Sequence, residues 1–137
     1  MTPSDLARIH AAAFADQRPW SAAEFTTLLD SPHIFAVTNP AGFALGRVVL
    51  DEVELLTIAT LPKGRRKGIA RGLLAEFEAA ALRRGATCAY LEVAADNTPA
   101  RALYGAAGYV ETGRRDAYYQ RESAPAVDAV MMAKTLT

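Results

Sequence analysis

The stretch Lys63-Gly64-Arg65-Arg66-Lys67-Gly68-Ile69-Ala70-Arg71 decides the fold, because it sets five cations and two glycines between a strand-like run and a helix-like run. On its N-terminal side, Glu52 to Thr60 is rich in Val, Leu and Ile, and Pro62 ends it. On its C-terminal side, Ile69, Leu73, Phe77 and Ala80/Ala81 recur at helical spacing from Gly68 to Arg84. Arg83 and Arg84 suit the negative end of that helix, and Gly85 stops it. Unpaired N–H groups and a partial positive charge at a helix N-terminus attract phosphate. Glycines allow close backbone approach, and flanking Arg and Lys add charge-assisted bonds. A ligand carrying several phosphates fits this segment, although a solvated basic loop opened by Gly68 fits the charges as well. No glycine here precedes Lys-Ser or Lys-Thr, and Gly-x-Gly-x-x-Gly is absent, so neither common nucleotide fingerprint applies.

Outward from this segment, the chain reads as one mixed α/β domain over residues 1–137. Thr2-Pro3-Ser4-Asp5 opens a helix reaching about Ala15, with Thr2 as cap and Pro3 in the first turn. Ser21-Ala22-Ala23-Glu24 is a capping box for a second helix ending near Asp30, and Trp20 with Phe25 forms a hydrophobic staple around it. Strands follow at His33 to Thr38, Gly42 to Leu50 and Glu52 to Thr60, with turns at Asn39-Pro40-Ala41-Gly42 and Asp51-Glu52. After the long helix come a strand at Cys88 to Val93, a helix at Thr98 to Ala106 closed by Gly108, and strands at Tyr109 to Arg114 and Val127 to Leu136. One βαβ unit lies at the centre of this order.

Composition removes several classes of function. The 137 residues carry 15 basic and 15 acidic side chains, so a dedicated nucleic-acid binder is disfavoured. Uncharged runs fall short of the ~20 apolar residues of a membrane span, and no leader peptide is expected. The single cysteine, Cys88, excludes an internal disulfide and suits a reducing, cytoplasmic setting. It reads as a small buried hydrophobe in mid-strand. Neither His10 nor His33 has a Cys or carboxylate at ligand spacing, so no metal site is expected.

Arg65-Arg66-Lys67-Gly68-Ile69-Ala70 matches Arg/Gln-x-x-Gly-x-Gly/Ala, and it resembles the acyl-CoA pyrophosphate loop of the GNAT acetyltransferases. Glu54 to Thr60, Leu91-Glu92-Val93 and Asn97 to Tyr104 then look like successive blocks of the RimI-type ribosomal-protein-alanine N-acetyltransferases. Pro19-Trp20-Ser21 and Gly113-Arg114-Arg115-x-x-Tyr118-Tyr119 are similar to further blocks. The resemblance spans nearly the whole chain. It implies the GNAT fold, a mixed and mostly antiparallel sheet around the βαβ unit, with acetyl-CoA as cosubstrate.

The same resemblance implies roles. Glu92 would be the general base and Tyr104 the acid. The backbone of Ile58, Ala59 and Thr60 would hold the acetyl and pantetheine amides, and a backbone N–H of that strand the oxyanion. Arg65, Arg66, Lys67, Gly68, Ile69, Ala70 and Arg71 would hold the pyrophosphate, and Asn97 would contact the CoA. The residues alone leave other uses open. Glu92 shares a strand face with Cys88 and Tyr90 and reads equally as a solvated carboxylate, Tyr104 as a packing aromatic, and Asn97 as a helix cap. Trp20 lines the peptide entrance or serves the staple, and Tyr118-Tyr119 covers substrate or fills the loop base.

The implied reaction is acetylation of a protein N-terminal amine, with alanine as the first residue, in a small-subunit ribosomal protein. A small-molecule amine, a lysine side chain, or a non-catalytic acyl-CoA-binding domain are the other readings. Two departures from the family stand out. Its usual first strand is not seen before the first helix, which would expose the His33 to Thr38 edge and favour a weak homodimer over a monomer. Ala126-Val127-Asp128-Ala129 replaces Gly-Glu-Asp-Ala, with one carboxylate fewer.

Overall fold

In the computed structural model the described residues are 1–14, 18–64, 68–119 and 125–137. They form α1 (Pro3–Ala13), α2 (Ala22–Leu29), β1 (Ile34–Asn39), β2 (Gly42–Val49), β3 (Glu52–Thr60), a 3-10 turn (Pro62–Gly64), α3 (Ile69–Arg83), β4 (Cys88–Ala94), α4 (Thr98–Ala106), β5 (Val110–Tyr119) and β6 (Val127–Thr135). Both N-terminal helices begin with complete capping boxes. Thr2 and Asp5 exchange side-chain and backbone bonds at α1, as Ser21 and Glu24 do at α2. The staple also forms, with the Trp20 and Phe25 rings 5.7 Å apart. Phe14 caps α1 after Ala13, and Ala15 lies outside the described residues.

The six strands make one sheet in the order β1-β2-β3-β4-β6-β5. Every neighbouring pair is antiparallel except β3 with β4, which the α3 crossover makes parallel. One face carries the larger core. Leu73, Leu74 and Phe77 of α3 pack there with Val53, Leu55, Ala89, Leu91 and Val93, and Tyr104 joins from α4. The Phe35 and Phe77 rings stack at 5.7 Å over Gly46, where a Cβ would come within 2.6 Å of the Phe77 ring. The other face carries α1 and α2. Leu6, Ile9 and Phe25 cover Ile34, Phe43, Leu45 and Ala59 there. Among the described residues this second core takes its strand members from β1 to β3, while the same face of β4 and β5 carries Glu92 and Arg115.

Three local expectations need correction. The β2–β3 reversal falls at Leu50-Asp51 rather than Asp51-Glu52, because Val49 pairs with Glu52 and Leu50 takes a left-handed φ of 57°. Strand β5 runs on to Tyr119 rather than ending at Arg114. Most of its residues are exposed, so it shows no apolar alternation to read. Cys88 opens β4 instead of lying inside it, and it is only half-buried.

Candidate active site

Strands β3 and β4 pair only through Glu52–Cys88, Val53–Ala89 and Glu54–Tyr90, and beyond Glu54 the two strands part. The cause is visible in the register of β3 against β2. Leu45 pairs with Thr57 but Gly46 pairs with Leu55, so Leu56 is an extra residue, a β-bulge. A bulge bends its strand and changes which residues face each neighbour. The burial pattern records the change: Val53 and Leu55 face the α3 core, then Leu56 and Ala59 face the α1–α2 core.

Backbone directions follow from two hydrogen bonds. Val48 N–H donates to His33 C=O just before β1, and Leu61 N–H donates to Ala41 C=O before β2. Alternation along antiparallel strands then turns Thr57, Ala59 and Leu61 toward β2, and Ile58 and Thr60 toward the gap beside β4. Of the three β3 residues expected to hold an acyl chain, Ile58 and Thr60 therefore present N–H and C=O to it, while Ala59 is committed to the sheet. That edge can accept an extended amide-bearing ligand as an added strand would.

The gap opens beside the N-terminus of α3. Gly68 begins that helix with φ 76°, a left-handed conformation that suits glycine, and no side chain caps the first-turn N–H groups. A Cβ at Gly68 or Gly72 would meet nothing within 4 Å, so the approach is open. Gly68 and Arg71 are exposed, and Ile69 and Ala70 are half-buried. This terminus fits a pyrophosphate by charge and by free donors. Arg65, Arg66 and Lys67, expected to add charge here, lie outside the described residues.

Glu92 and Tyr104 come from different elements, β4 and α4. Glu92 lies on β4 two residues past the last pair with β3, on the polar face of the sheet. Arg115 Nη2 of β5 stands 3.0 Å from Glu92 Oε1. The Arg115 guanidinium also lies 5.3 Å from the Tyr118 ring, and Tyr118 packs edge-on against Tyr119 at 5.2 Å. Tyr104 is buried in α4, and burial first, then the nearby Tyr119 phenol, push its hydroxyl well above the usual tyrosine range. Tyr104 thus stays protonated at neutral pH, the form a general acid needs. Tyr109 supports it from below at 5.9 Å, donating its own hydroxyl to Glu78 at 2.9 Å, where Lys134 is also bound.

Asn97 caps α4, its Oδ1 accepting from Ala100 N–H at 3.2 Å, which leaves its amide NH2 as the group for a ligand. Trp20 serves the staple and also lines a cleft of about 560 Å³ with Ala23, Glu24, Thr27, Leu28, Arg47 and Leu56. Its lining includes the bulge residue of β3. His10 is buried between Phe14, Trp20 and Phe25, and its Nδ1 accepts from Trp20 N–H at 3.3 Å. Burial brings its pKa down to about 4, so it is a neutral packing histidine. Among the described residues no group of three or more His, Cys, Asp or Glu is placed to hold a metal. The sequence offers Arg115 only as part of a block, with no role of its own, since only the pairing of β5 with β6 and of β6 with β4 brings it to Glu92.

Residues 4–109 match the acetyltransferase (GNAT) family model. The chain is 36% identical over 119 residues to the [Ribosomal protein bS18]-alanine N-acetyltransferase of Escherichia coli K12, covering 84% of this chain and 80% of that protein. It is 36% identical to the N-alpha-acetyltransferase RimI of Mycobacterium tuberculosis, over 88% of this chain and 80% of the relative. The crystal structure of the E. coli ribosomal-protein-S18-alanine N-acetyltransferase superposes with a TM-score of 0.84 at 33% identity, covering 96% of this chain and 85% of the other. Among the described residues no helix is long and apolar enough to cross a membrane. The chain belongs to the GNAT acetyltransferase family and is an N-acetyltransferase that takes its acetyl group from acetyl-CoA.

Proposed function

We propose that this single domain acetylates the N-terminal α-amine of a protein, with alanine as first residue and a small-subunit ribosomal protein as acceptor. One observation carries the reading: Glu92 lies on β4 just past the last pair with β3, so its carboxylate stands beside the unpaired edge of β3. The E. coli relative, a [Ribosomal protein bS18]-alanine N-acetyltransferase, supports the choice of acceptor, and the M. tuberculosis relative, an N-alpha-acetyltransferase, supports the α-amine.

Acetyl-CoA supplies the thioester, lying along Ile58 to Thr60 with its pyrophosphate at residues 65–71 and Asn97 beside it. An α-amine has a pKa of ~7.7–8.0, so a carboxylate and modest binding energy suffice to present it neutral. Its nitrogen attacks the acetyl carbon while a proton passes to Glu92. The carbonyl oxygen takes the developing charge against the Ile58 N–H. The C–S bond then breaks, and the Tyr104 hydroxyl protonates the departing sulfur. Solvent returns the proton balance between the two side chains. A reducing cytoplasm suits the lone thiol, and the β1 edge is where a second copy would pair. Light scattering at high concentration reads that association directly, and a strictly monomeric mass removes it.

Intact-mass detection of acetyl transfer to short peptides tests the main reading, each peptide run with its α-amine free and blocked. Transfer to free Ala-started peptides is expected, falling on the order of 10²–10⁴-fold in Glu92→Gln and 10²-fold or more in Tyr104→Phe. Transfer to α-blocked peptides bearing lysine, or to small amines alone, overturns the acceptor.

A further inference from the structure

The adjacent arginines of β5 are used differently. Arg114 is bound to Glu111 at 2.7 Å, whereas Arg115 reaches across the sheet to Glu92. Register shows how the reach is possible. Glu92 pairs with Met131, which pairs with Gly113, while the next row on the same face is Ala94, Ala129 and Arg115. Arg115 thus crosses a row holding only alanines, and the residue two positions before it on its own strand is a glycine. A bulky residue at 129 would stand in that path. The Tyr118 ring holds the guanidinium from a second side. The Glu92 side chain is 22% exposed and that of Arg115 54%, so the carboxylate is the more enclosed partner.

We propose that Arg115 is a positioning residue for the acyl transfer: from β5 it holds Glu92 Oε1 so that Oε2 faces the incoming amine. This rests on reading Glu92 as the general base. A carboxylate on a strand has several rotamers, and a base displaced by ~1 Å loses about 10²-fold in rate. An arginine fixed by an aromatic face on one side and a carboxylate on the other limits those rotamers at little entropic cost, because its planar fork is rigid. Arg115 touches neither the thioester nor the amine in this scheme. It acts only through Glu92.

The experiment is a double-mutant cycle on the full chain, with single-turnover acetyl transfer as readout and acetyl-CoA binding measured alongside. Arg115→Gln is expected to lower kcat by about 10–100-fold with KM for acetyl-CoA unchanged. Arg115→Lys, which keeps the charge but not the fork, recovers part of that loss. In a Glu92→Gln background the Arg115→Gln change is expected to have no further effect, because the two residues act as a unit. Equal losses in both backgrounds overturn the proposal, as does a wild-type kcat in Arg115→Gln. If Glu92→Gln alone keeps full activity, the assignment of the base fails first, so the two failures are told apart. Thermal melting of each variant separates a folding defect from a catalytic one, and Arg115→Lys remains informative if the Gln variant is unstable.

Discussion

The two halves of β3 share one strand and differ in almost every other respect. Glu52 to Glu54 is paired on both sides, to β2 and to β4, and its Arg47–Glu54 ion pair is a surface contact between neighbouring strands. Ile58 to Thr60 is paired to β2 alone, buttressed by Leu6, Ile9 and Phe25 beneath Ala59, and open toward β4. A single inserted residue, Leu56, separates a half that holds the sheet together from a half that can hold a substrate. An edge created inside a sheet is costly unless something covers it, since its N–H and C=O groups lose ladder partners. An amide-bearing cosubstrate lying along Ile58 to Thr60, as proposed above, would restore those partners. The helices that pack only on β1 to β3 keep this half rigid without closing it.

The sharpest way to break this comparison uses proline at neighbouring positions. Ile58→Pro removes an N–H aimed at the gap and spares the ladder to β2, so a folded protein that has lost roughly 10²–10³-fold in kcat is expected. Ala59→Pro removes a ladder bond from a buried position, and loss of soluble, cooperatively melting protein is expected instead. Circular dichroism and single-turnover transfer on the pair read both outcomes. The same phenotype from both substitutions would show that the halves are not distinct.

A smaller effect is expected opposite the bulge. Gly46 pairs with Leu55 where the register shifts, and the stacked Phe35 and Phe77 rings occupy the space of a side chain there. Gly46→Ala should cost ~1–3 kcal/mol in urea unfolding, the usual range for overpacking a core. An unchanged midpoint would mean that the rings move aside freely and do not fix the bulge.

The smallest effect is a dependence on acid in the support under Ile58 to Thr60. Buried His10 has its pKa lowered to about 4 against 6.5 for an exposed histidine, so the unfolded chain binds its proton more readily than the folded one. The stability contributed by neutral His10 is complete above pH 6.5 and falls progressively as pH drops from there toward 4. Glu24, held at about 2 by bonding to Arg18, loses its own contribution from about pH 4.5 downward, so the span from pH 7.5 to 5 is the part that reads His10. Melting temperatures from pH 7.5 to 4.5 should decline more in the parent chain than in His10→Gln. Parallel slopes would remove His10 from the account.

Much of this molecule is legible in the order of its residues. The capping boxes at Thr2–Asp5 and Ser21–Glu24, the Trp20–Phe25 staple, and the bounds of α4 follow from chemistry acting over a few positions. So does the Gly68 start of α3 after a basic loop. The alternation that puts Glu92 on a different face from Leu91 and Val93 is also a local property, and the burial of β4 repeats it. Local rules fail on β5, whose exposed residues carry no period, and at Leu50, where the turn position depends on which residues of β2 and β3 pair.

What the tertiary structure alone decided is pairing. The extra residue at Leu56, the turning of Ile58 and Thr60 toward the gap, and the insertion of β6 between β4 and β5 all depend on which residues stand opposite each other across strands. The meeting of Arg115 with Glu92 follows from that pairing. Sequence sets the period of a strand, but register is a contact between distant segments, chosen by the burial of both cores at once. The candidate residues were therefore nameable one by one, and their partners in space were not.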